Sequence, residues 1–136
     1  MKKKVVVLVT VACIMLLPVG IAYAETANLR YVAISTLECG LSISSGKATC
    51  IAYVASSSAS HSASIFAALK RSSNGSSWTT VKTWSASGSG LLGATIDESV
   101  TVSSGYKYKL FVTATIKNAY GILIETAHKN SQVVEY

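Results

Sequence analysis

The sequence predicts an all-β protein, with about seven strands in a single antiparallel sandwich. Apolar residues after position 24 alternate with polar ones, and no segment shows a convincing helical period. Stretches of Ser, Gly and Asn interrupt this alternation roughly every ten residues, as turns between short strands do. The same part of the chain contains no proline.

Residues 1–24 have the three parts of a secretory signal peptide. A positive start at residues 2–4 leads into an apolar run over residues 5–17 and then into Ala22-Tyr23-Ala24, a small-residue cleavage pattern. The apolar run is shorter than the ~20 residues that a membrane-spanning helix needs. We therefore predict cleavage before Glu25, a secreted domain over residues 25–136, and no membrane anchor after cleavage.

The charge of the predicted domain argues against nucleic-acid binding. It contains nine Lys and Arg residues and six Asp and Glu residues, a net charge of +3. The basic residues are scattered along the chain, whereas nucleic-acid binders concentrate them on one face or helix. Weak attraction to an anionic cell wall remains an alternative.

The first half of the domain contains the pattern of four strands after a short entry strand. A short strand is predicted over residues 31–34, a serine-rich loop over 55–64, a strand around 65–69, and a return strand over 78–84. Asn74-Gly75, between the last two strands, is a strong hairpin signal. Two longer strands before the loop each have one apolar face: Leu37, Cys39, Leu41 and Ile43 on one, and Ala48, Cys50, Ala52 and Val54 on the other.

The second half contains the pattern of three or four more strands. Ile96, Val100 and Val102 mark one of them, and the acidic pair Asp97-Glu98 indicates either an interruption of this strand by a turn or an exposed edge. Residues 106–116 alternate most clearly of all, and residues 122–134 are predicted to supply the last one or two strands.

Cys39 and Cys50 remain after signal cleavage, and an even number of cysteines in an oxidising compartment predicts a disulfide. If Ile43 and Gly46 flank a two-residue turn, the two cysteines lie opposite each other on adjacent strands. The separation of their Cα atoms would then suit a bridge. Two free, buried thiols are the alternative.

Residues 102–114 contain a spaced pattern around Gly105 and Tyr108. Val102, Gly105 and Tyr108 are followed by apolar residues at every second position: Leu110, Val112 and Ala114. This pattern resembles the L-x-P-G-x-x-Y-x-V-x-V-x-A signature of fibronectin type III domains, with Ser104 in place of the proline. The resemblance implies an immunoglobulin-like sandwich in which Tyr108 is a buried tyrosine corner. The whole chain also resembles small secreted proteins of Gram-positive bacteria.

Motifs that would indicate catalysis, a metal or a cofactor are weak. Residues 88–93 match G-x-G-x-x-G, but no helix is predicted after them to bind a phosphate, so they are interpreted as a flexible connection. His61 and His128 lack the neighbours of a zinc site. No G-x-S-x-G elbow occurs. Asp97 and Glu98 are adjacent in a strand and point to opposite faces. We predict no enzyme activity, no metal and no cofactor.

Trp78 and Trp84 are the candidate ligand contacts. Their spacing places both side chains on one face of a regular strand. If Val81 points inward, the two rings form an exposed patch that could stack on sugars or contact a protein. If the tryptophans point inward they are core residues, and Lys82 must reach the edge of the sheet.

These features predict a secreted, non-enzymatic binding or adhesion module for an extracellular protein or glycan. Immunoglobulin-like sandwiches often act in this way, so the argument rests on fold analogy. One alternative is a carbohydrate- or cell-wall-binding module that uses Trp78 and Trp84. Another is a small secreted antagonist, such as an inhibitor or a bacteriocin-like protein.

Overall fold

The computed structural model describes residues 31–136, which form eight β-strands and no helix. All strand pairings are antiparallel, so the predicted all-β, antiparallel class is confirmed. The predicted signal peptide lies outside the described residues. Within them, no helix is long and apolar enough to cross a membrane. The strands are β1 (Ile34–Ser44), β2 (Lys47–Ser56), β3 (Ser62–Ser72), β4 (Thr79–Ser89), β5 (Ala94–Thr101), β6 (Lys107–Lys117), β7 (Leu123–Asn130) and β8 (Val134–Glu135).

The strands form two sheets with the core between them. The first sheet has the order β1-β2-β5, and the second has the order β4-β3-β6-β7, with β8 paired to the start of β6. Burial alternates along the central strands, because successive side chains point to opposite faces of a sheet. The most deeply buried apolar side chains lie on β2, β3 and β6: Cys50, Val54, Ile65, Leu69, Leu110, Val112 and Ile116.

One predicted strand boundary is wrong, and of the two alternatives for the acidic pair the exposed edge is confirmed. Residues 31–33 are not part of a strand, because β1 begins at Ile34 and continues to Ser44. Asp97 and Glu98 do not interrupt β5, which is continuous and pairs with β2 over its whole length. Both carboxylates are exposed on this edge strand, where water solvates them without breaking the pairing.

The turn between β1 and β2 corrects the predicted register of the cysteines. Ser45 and Gly46 form a two-residue turn with φ angles of 51° and 74°. Positive φ at both positions is the type I′ geometry that hairpins favour, and glycine suits it. Cys39 therefore pairs with Ala52, two residues beyond Cys50. The prediction that the cysteines lie directly opposite is wrong, because the turn lies one residue later than expected.

Both cysteines are free thiols in the described structure. Burial raises the pKa of the Cys50 thiol to about 11, and the nearby Cys39 adds to the increase. Burial also raises the pKa of the Cys39 thiol to about 11, although the positive charge of Lys129 acts to lower it. Cys39 donates a hydrogen bond from its sulfur to the Leu110 carbonyl at 3.4 Å. The predicted disulfide is thus not present. Cys50 fills the core as a small apolar group does, and Cys39 is half-buried.

Tyr108 connects the two sheets at the crossover from β5 to β6. Its side chain is completely buried, and its hydroxyl donates a hydrogen bond to the Ser103 carbonyl at 2.5 Å. A buried hydroxyl needs such a partner, because an unpaired one would lose its hydrogen bonds to water without compensation. Since Ser103 lies between the strands, the bond fixes the path of the connecting segment.

Glu125 on β7 binds the backbone that leads into β1. Its carboxylate accepts hydrogen bonds from the N–H groups of Val32, Ala33 and Ile34 at 2.8, 2.9 and 2.8 Å. Partial burial would raise the pKa of the carboxyl, but the three N–H donors favour the charged form and lower the pKa overall. This ionic contact holds the start of β1 against the second sheet.

Two more side chains from the β7 side bind the outer edge of β1. Lys129 Nζ donates to the Leu37 carbonyl and Gln132 Nε2 donates to the Leu41 carbonyl, each at 3.0 Å. Edge strands present unpaired backbone groups that attract other chains. Together with Glu125, these side chains occupy that edge and close one side of the sandwich.

Replacing Glu125 with Gln should remove a pH-dependent part of the stability. A carboxylate whose pKa is lowered by folding stabilises the fold above its unfolded value, here 4.5, and this contribution is lost as the pH falls through the folded value. Thermal unfolding should show a lower midpoint for Glu125→Gln near neutral pH, and the gap to wild type should close as the pH falls below 4.5 and through the lowered pKa of the folded state. Glu98→Gln, on an exposed edge, controls for the change in net charge. A gap that stays constant with pH would contradict this role.

Candidate functional site

Four segments meet at one end of the sandwich, which we call the loop end. They are residues 32–33 before β1, residues 57–61 between β2 and β3, residues 90–93 between β4 and β5, and residues 118–122 between β6 and β7. Antiparallel pairing brings them together, because the β1 start pairs with the β2 end and the β3 start pairs with the ends of both β4 and β6.

Backbone hydrogen bonds join three of these segments. Gly90 N donates to the His61 carbonyl at 2.8 Å, and its own carbonyl accepts from Ser56 N at 2.7 Å. Ser57 N donates to the Ala33 carbonyl at 3.0 Å. Three of the four segments, although distant in sequence, are therefore joined directly at the loop end.

Exposed apolar side chains are concentrated at the loop end. The exposed fraction is 86% for Val32, 82% for Leu92 and 88% for Tyr120. Among residues 31–136, five of the eleven exposed large hydrophobic residues lie here, and two more lie next to them at the start of β7: Val32, Leu91, Leu92, Tyr120 and Ile122 in the segments, and Leu123 and Ile124 on the strand. Single exposed apolar residues are normal on a protein surface, but a cluster marks a site of interaction.

The three loops between strands at this end contain no Asp, Glu, Lys or Arg. Eight of their fourteen residues are Ser, Gly, Asn or Tyr, as residues 57–61, 90–93 and 118–122 show. Protein interfaces lose charged residues at their centres and gain aromatic ones. The same four residue types dominate the binding loops of antibodies, because they combine contact area with adaptable hydrogen bonding.

Asn118 holds the β6–β7 loop in one conformation. Its side-chain oxygen accepts hydrogen bonds from the N–H groups of Tyr120 and Ile122 at 2.9 and 3.0 Å. Its own backbone N–H donates to the Ile122 carbonyl at 2.9 Å, and its carbonyl accepts from Gly121 N at 3.0 Å. A preorganised loop loses less conformational entropy when it binds, so its apolar side chains contribute more to affinity.

The three glycines of residues 88–93 lie where a side chain would not fit. A Cβ atom added to Gly88, Gly90 or Gly93 would lie 2.1, 2.2 or 2.2 Å from the carbonyl oxygens of Gly93, Ser58 and Val54. Strand β5 follows directly, as expected for a segment that is not a phosphate-binding loop. The segment connects two strands as predicted, but it is closely packed against the neighbouring backbone rather than free of contacts.

The two tryptophans do not share a face of the sheet. The pairing of β4 with β3 shifts by one residue between Leu69 and Lys70, which leaves Val81 as a bulge. An inserted residue reverses the alternation of side chains beyond it. The interpretation of Trp78 and Trp84 as one patch is therefore wrong, because it assumed a regular strand.

Each tryptophan instead has its own environment. Trp84 pairs with the buried Ala67, is half-buried, and borders a shallow cleft with residues 95–98 of β5. It covers the side of the sandwich that lies between the edge strands β4 and β5. Trp78 is also half-buried, on the outer face of the second sheet, where Lys109 Nζ lies 4.5 Å from its ring centroid.

Ser56 and His61 are the nearest approach to a nucleophile and a base. Ser56 Oγ lies 2.6 Å from His61 Nδ1 and also donates to the Ala33 carbonyl at 3.0 Å. The hydroxyl has a single proton, so with the bond to Ala33 formed, His61 acts as the donor rather than as a base. Ser56 is also only 1% exposed, which leaves no access for a substrate. This pair is best explained as a structural contact beneath the loop end.

Among residues 31–136, no group of three or more His, Cys, Asp or Glu side chains is placed to hold a metal ion. His128 lies on the outer face of the second sheet, with Nδ1 3.0 Å from Thr113 Oγ1. No protein family model matches the chain, and no curated protein is significantly similar to it.

Proposed function

We propose that this protein is a secreted, non-enzymatic binding module that contacts an extracellular protein through the loop end. The concentration of exposed apolar side chains on three of the four loop-end segments, and on the adjoining start of β7, carries the proposal. A soluble protein gains nothing from such a surface unless it is buried against a partner. The signal-like pattern of residues 1–24 supports an extracellular location.

A protein partner suits this surface better than a lipid surface does. Loops that bind membranes gain much of their affinity from cations that attract anionic lipids. Segments 57–61, 90–93 and 118–122 contain no Lys or Arg. The hydrogen bonds around Asn118 give the β6–β7 loop the preorganised form that specific protein recognition favours.

The proposal includes an immunoglobulin-like fold of the fibronectin type III kind. The fourth strand supports it, because β4 pairs with β3 rather than joining the sheet of β1, β2 and β5. In the immunoglobulin constant type the fourth strand belongs to the sheet of the first two. The hydrogen bond of Tyr108 to Ser103 has the form of a tyrosine corner. Folds of this kind commonly bind ligands with the loops at one end.

Replacing Leu92 and Tyr120 with Ser should weaken partner binding by about tenfold or more, because both apolar contacts are lost. Both side chains are more than 80% exposed, so the double variant should unfold at the same temperature as wild type. Immobilised wild type and variant are incubated with extracellular proteins, and any protein retained selectively is purified and titrated against both by calorimetry.

Ile51→Ser is the matched control, since Ile51 is 46% exposed but lies on the outer face of the first sheet. It should bind as wild type does. Equal affinity for all three proteins would contradict the proposal, as would wild-type binding to lipid vesicles that the double variant loses. Self-association that only the double variant abolishes would identify a second copy as the occupant, and would also contradict it.

A further inference from the structure

The outer face of the second sheet is a separate surface with an ordered pattern. Its strands pair in register, so outward side chains form rows across four strands. One row consists of four hydroxyl residues: Ser87, Ser64, Thr115 and Thr126. The next row replaces one hydroxyl with an aromatic ring and another with imidazole: Ser85, Phe66, Thr113 and His128. Hydroxyl groups therefore flank Phe66 in these two rows, and Phe111 lies on the same face in the row beyond.

Phe66 lies near the centre of this face and is 41% exposed. A shallow depression of about 350 Å³ surrounds it and is lined by hydroxyl side chains: Ser64, Ser85, Ser87, Thr113 and Thr115. Binding sites for small polar ligands combine an apolar or aromatic wall with a few placed polar groups. The hydroxyls of this depression can both donate and accept hydrogen bonds, as the hydroxyls of a sugar do.

Cations lie at both ends of the same face. Lys117 lies at the loop end of β6, and Lys109 lies eight residues earlier, which is roughly 27 Å along an extended strand. Lys70 pairs with Lys109, and its Nζ lies 5.4 Å from the Phe111 ring centroid. The imidazole ring of His128 stacks on the Phe111 ring, and the two ring centroids are 5.5 Å apart.

No carboxylate lines the depression itself. Asp97 and Glu98 belong to the first sheet and line the neighbouring cleft, which shares Ser85 with the depression, and Glu125 points inward to the start of β1. Glu135 pairs with Lys107 at the far corner of the second sheet. Along β6, the centre of the outer face thus has positive charge at both ends, which attracts an anionic ligand that follows the strand.

We propose that this face binds an acidic polysaccharide, with a sugar ring packed on Phe66. The hydroxyl rows bind the sugar hydroxyls, and Lys70, Lys109 and Lys117 bind the carboxylate, sulfate or phosphate groups of the chain. Aromatic rings offer sugars a flat apolar surface, and the flanking cations select an anionic polymer over a neutral one. The site uses different residues from the loop end, so either proposal can fail without the other.

Affinity electrophoresis of the purified protein tests this proposal with three polymers. Polygalacturonate presents sugar rings and carboxylates, dextran presents sugar rings alone, and poly(glycerol phosphate) presents phosphodiesters without rings. Wild type should be retarded most by polygalacturonate.

Phe66→Ala should weaken that binding by about tenfold, while Ile51→Ala, a similarly exposed position on the other sheet, should leave it unchanged. The Leu92→Ser/Tyr120→Ser variant should bind as wild type does.

Three outcomes would overturn the inference. Equal retardation by dextran would show that charge is not used, and equal retardation by poly(glycerol phosphate) would show that the ring is not used. Wild-type binding by Phe66→Ala would remove the proposed stacking contact. Circular dichroism and the unfolding midpoint of each variant confirm that a loss of binding reflects the site rather than the fold.

Discussion

Gly93→Ala should lower the free energy of unfolding by about 2–5 kcal/mol. Two costs combine at this position. Gly93 has a φ of 79°, a conformation that residues with a Cβ atom adopt at a cost, and the new Cβ would lie 2.2 Å from the Val54 carbonyl oxygen. Since that oxygen belongs to the backbone of a central strand, neither side can move cheaply. Urea unfolding followed by tryptophan fluorescence measures the loss.

Gly121→Ala is the matched control for this experiment. Gly121 has nearly the same φ, 78°, but an added Cβ would meet no atom within 4 Å. Its replacement should cost only the conformational part, about 1–2 kcal/mol. Equal losses at the two positions would mean that the tight packing of residues 88–93 does not contribute to stability.

Tyr108→Phe should cost about 1–3 kcal/mol, because the Ser103 carbonyl would lose its hydrogen-bond donor inside the protein. The ring remains, so apolar packing changes little and the effect isolates the hydroxyl. Tyr106→Phe should cost less. Its ring contacts persist without the hydroxyl, since the guanidinium of Arg71 lies 4.5 Å from the ring centroid and the Tyr108 ring packs edge-on at 6.3 Å. Chemical unfolding of both variants gives the comparison, and similar small losses would exclude a structural role for the Tyr108 hydroxyl.

The alternation of apolar and polar residues predicted most of the fold. In a regular strand with one buried face, every second side chain points into the core, so apolar residues recur at every second position. Residues 107–117 show this pattern without a break, and they form the central strand β6. The pattern around Gly105 and Tyr108 also predicted a local contact, between a tyrosine and the backbone just before it.

The register of the strands and the position of the bulge were harder to predict, because a shift or an insertion of a single residue changes which residues pair. The Ser45-Gly46 turn fits type I′ geometry, and choosing the turn one residue earlier misplaced Cys39 relative to Cys50. The bulge at Val81 has no signal in the alternation itself. The bulge places the side chains of Trp78 and Trp84 on different faces of the sheet. The shared tryptophan patch that regular spacing predicts is therefore not formed.

The loop end could not be found by scanning for motifs, because its parts lie far apart in sequence. Leu91-Leu92 and Tyr120-Gly121-Ile122 each look unremarkable alone, although apolar residues between glycine-rich turn signals are a hint of exposure. Only the pairing of the strands brings the two segments to the same end. The outer face of the second sheet required the register of four strands for the same reason.

Photo-crosslinking tests the central claim, that the loop end contacts a protein partner, most directly. A photoreactive phenylalanine analogue is placed either at position 120, which is 88% exposed at the loop end, or at position 136, which is 39% exposed at the opposite end. We expect a protein adduct from position 120 alone, and unlabelled wild type should compete it away. Adducts from position 136, equal adducts from both positions, or no protein adduct from position 120 would contradict the account.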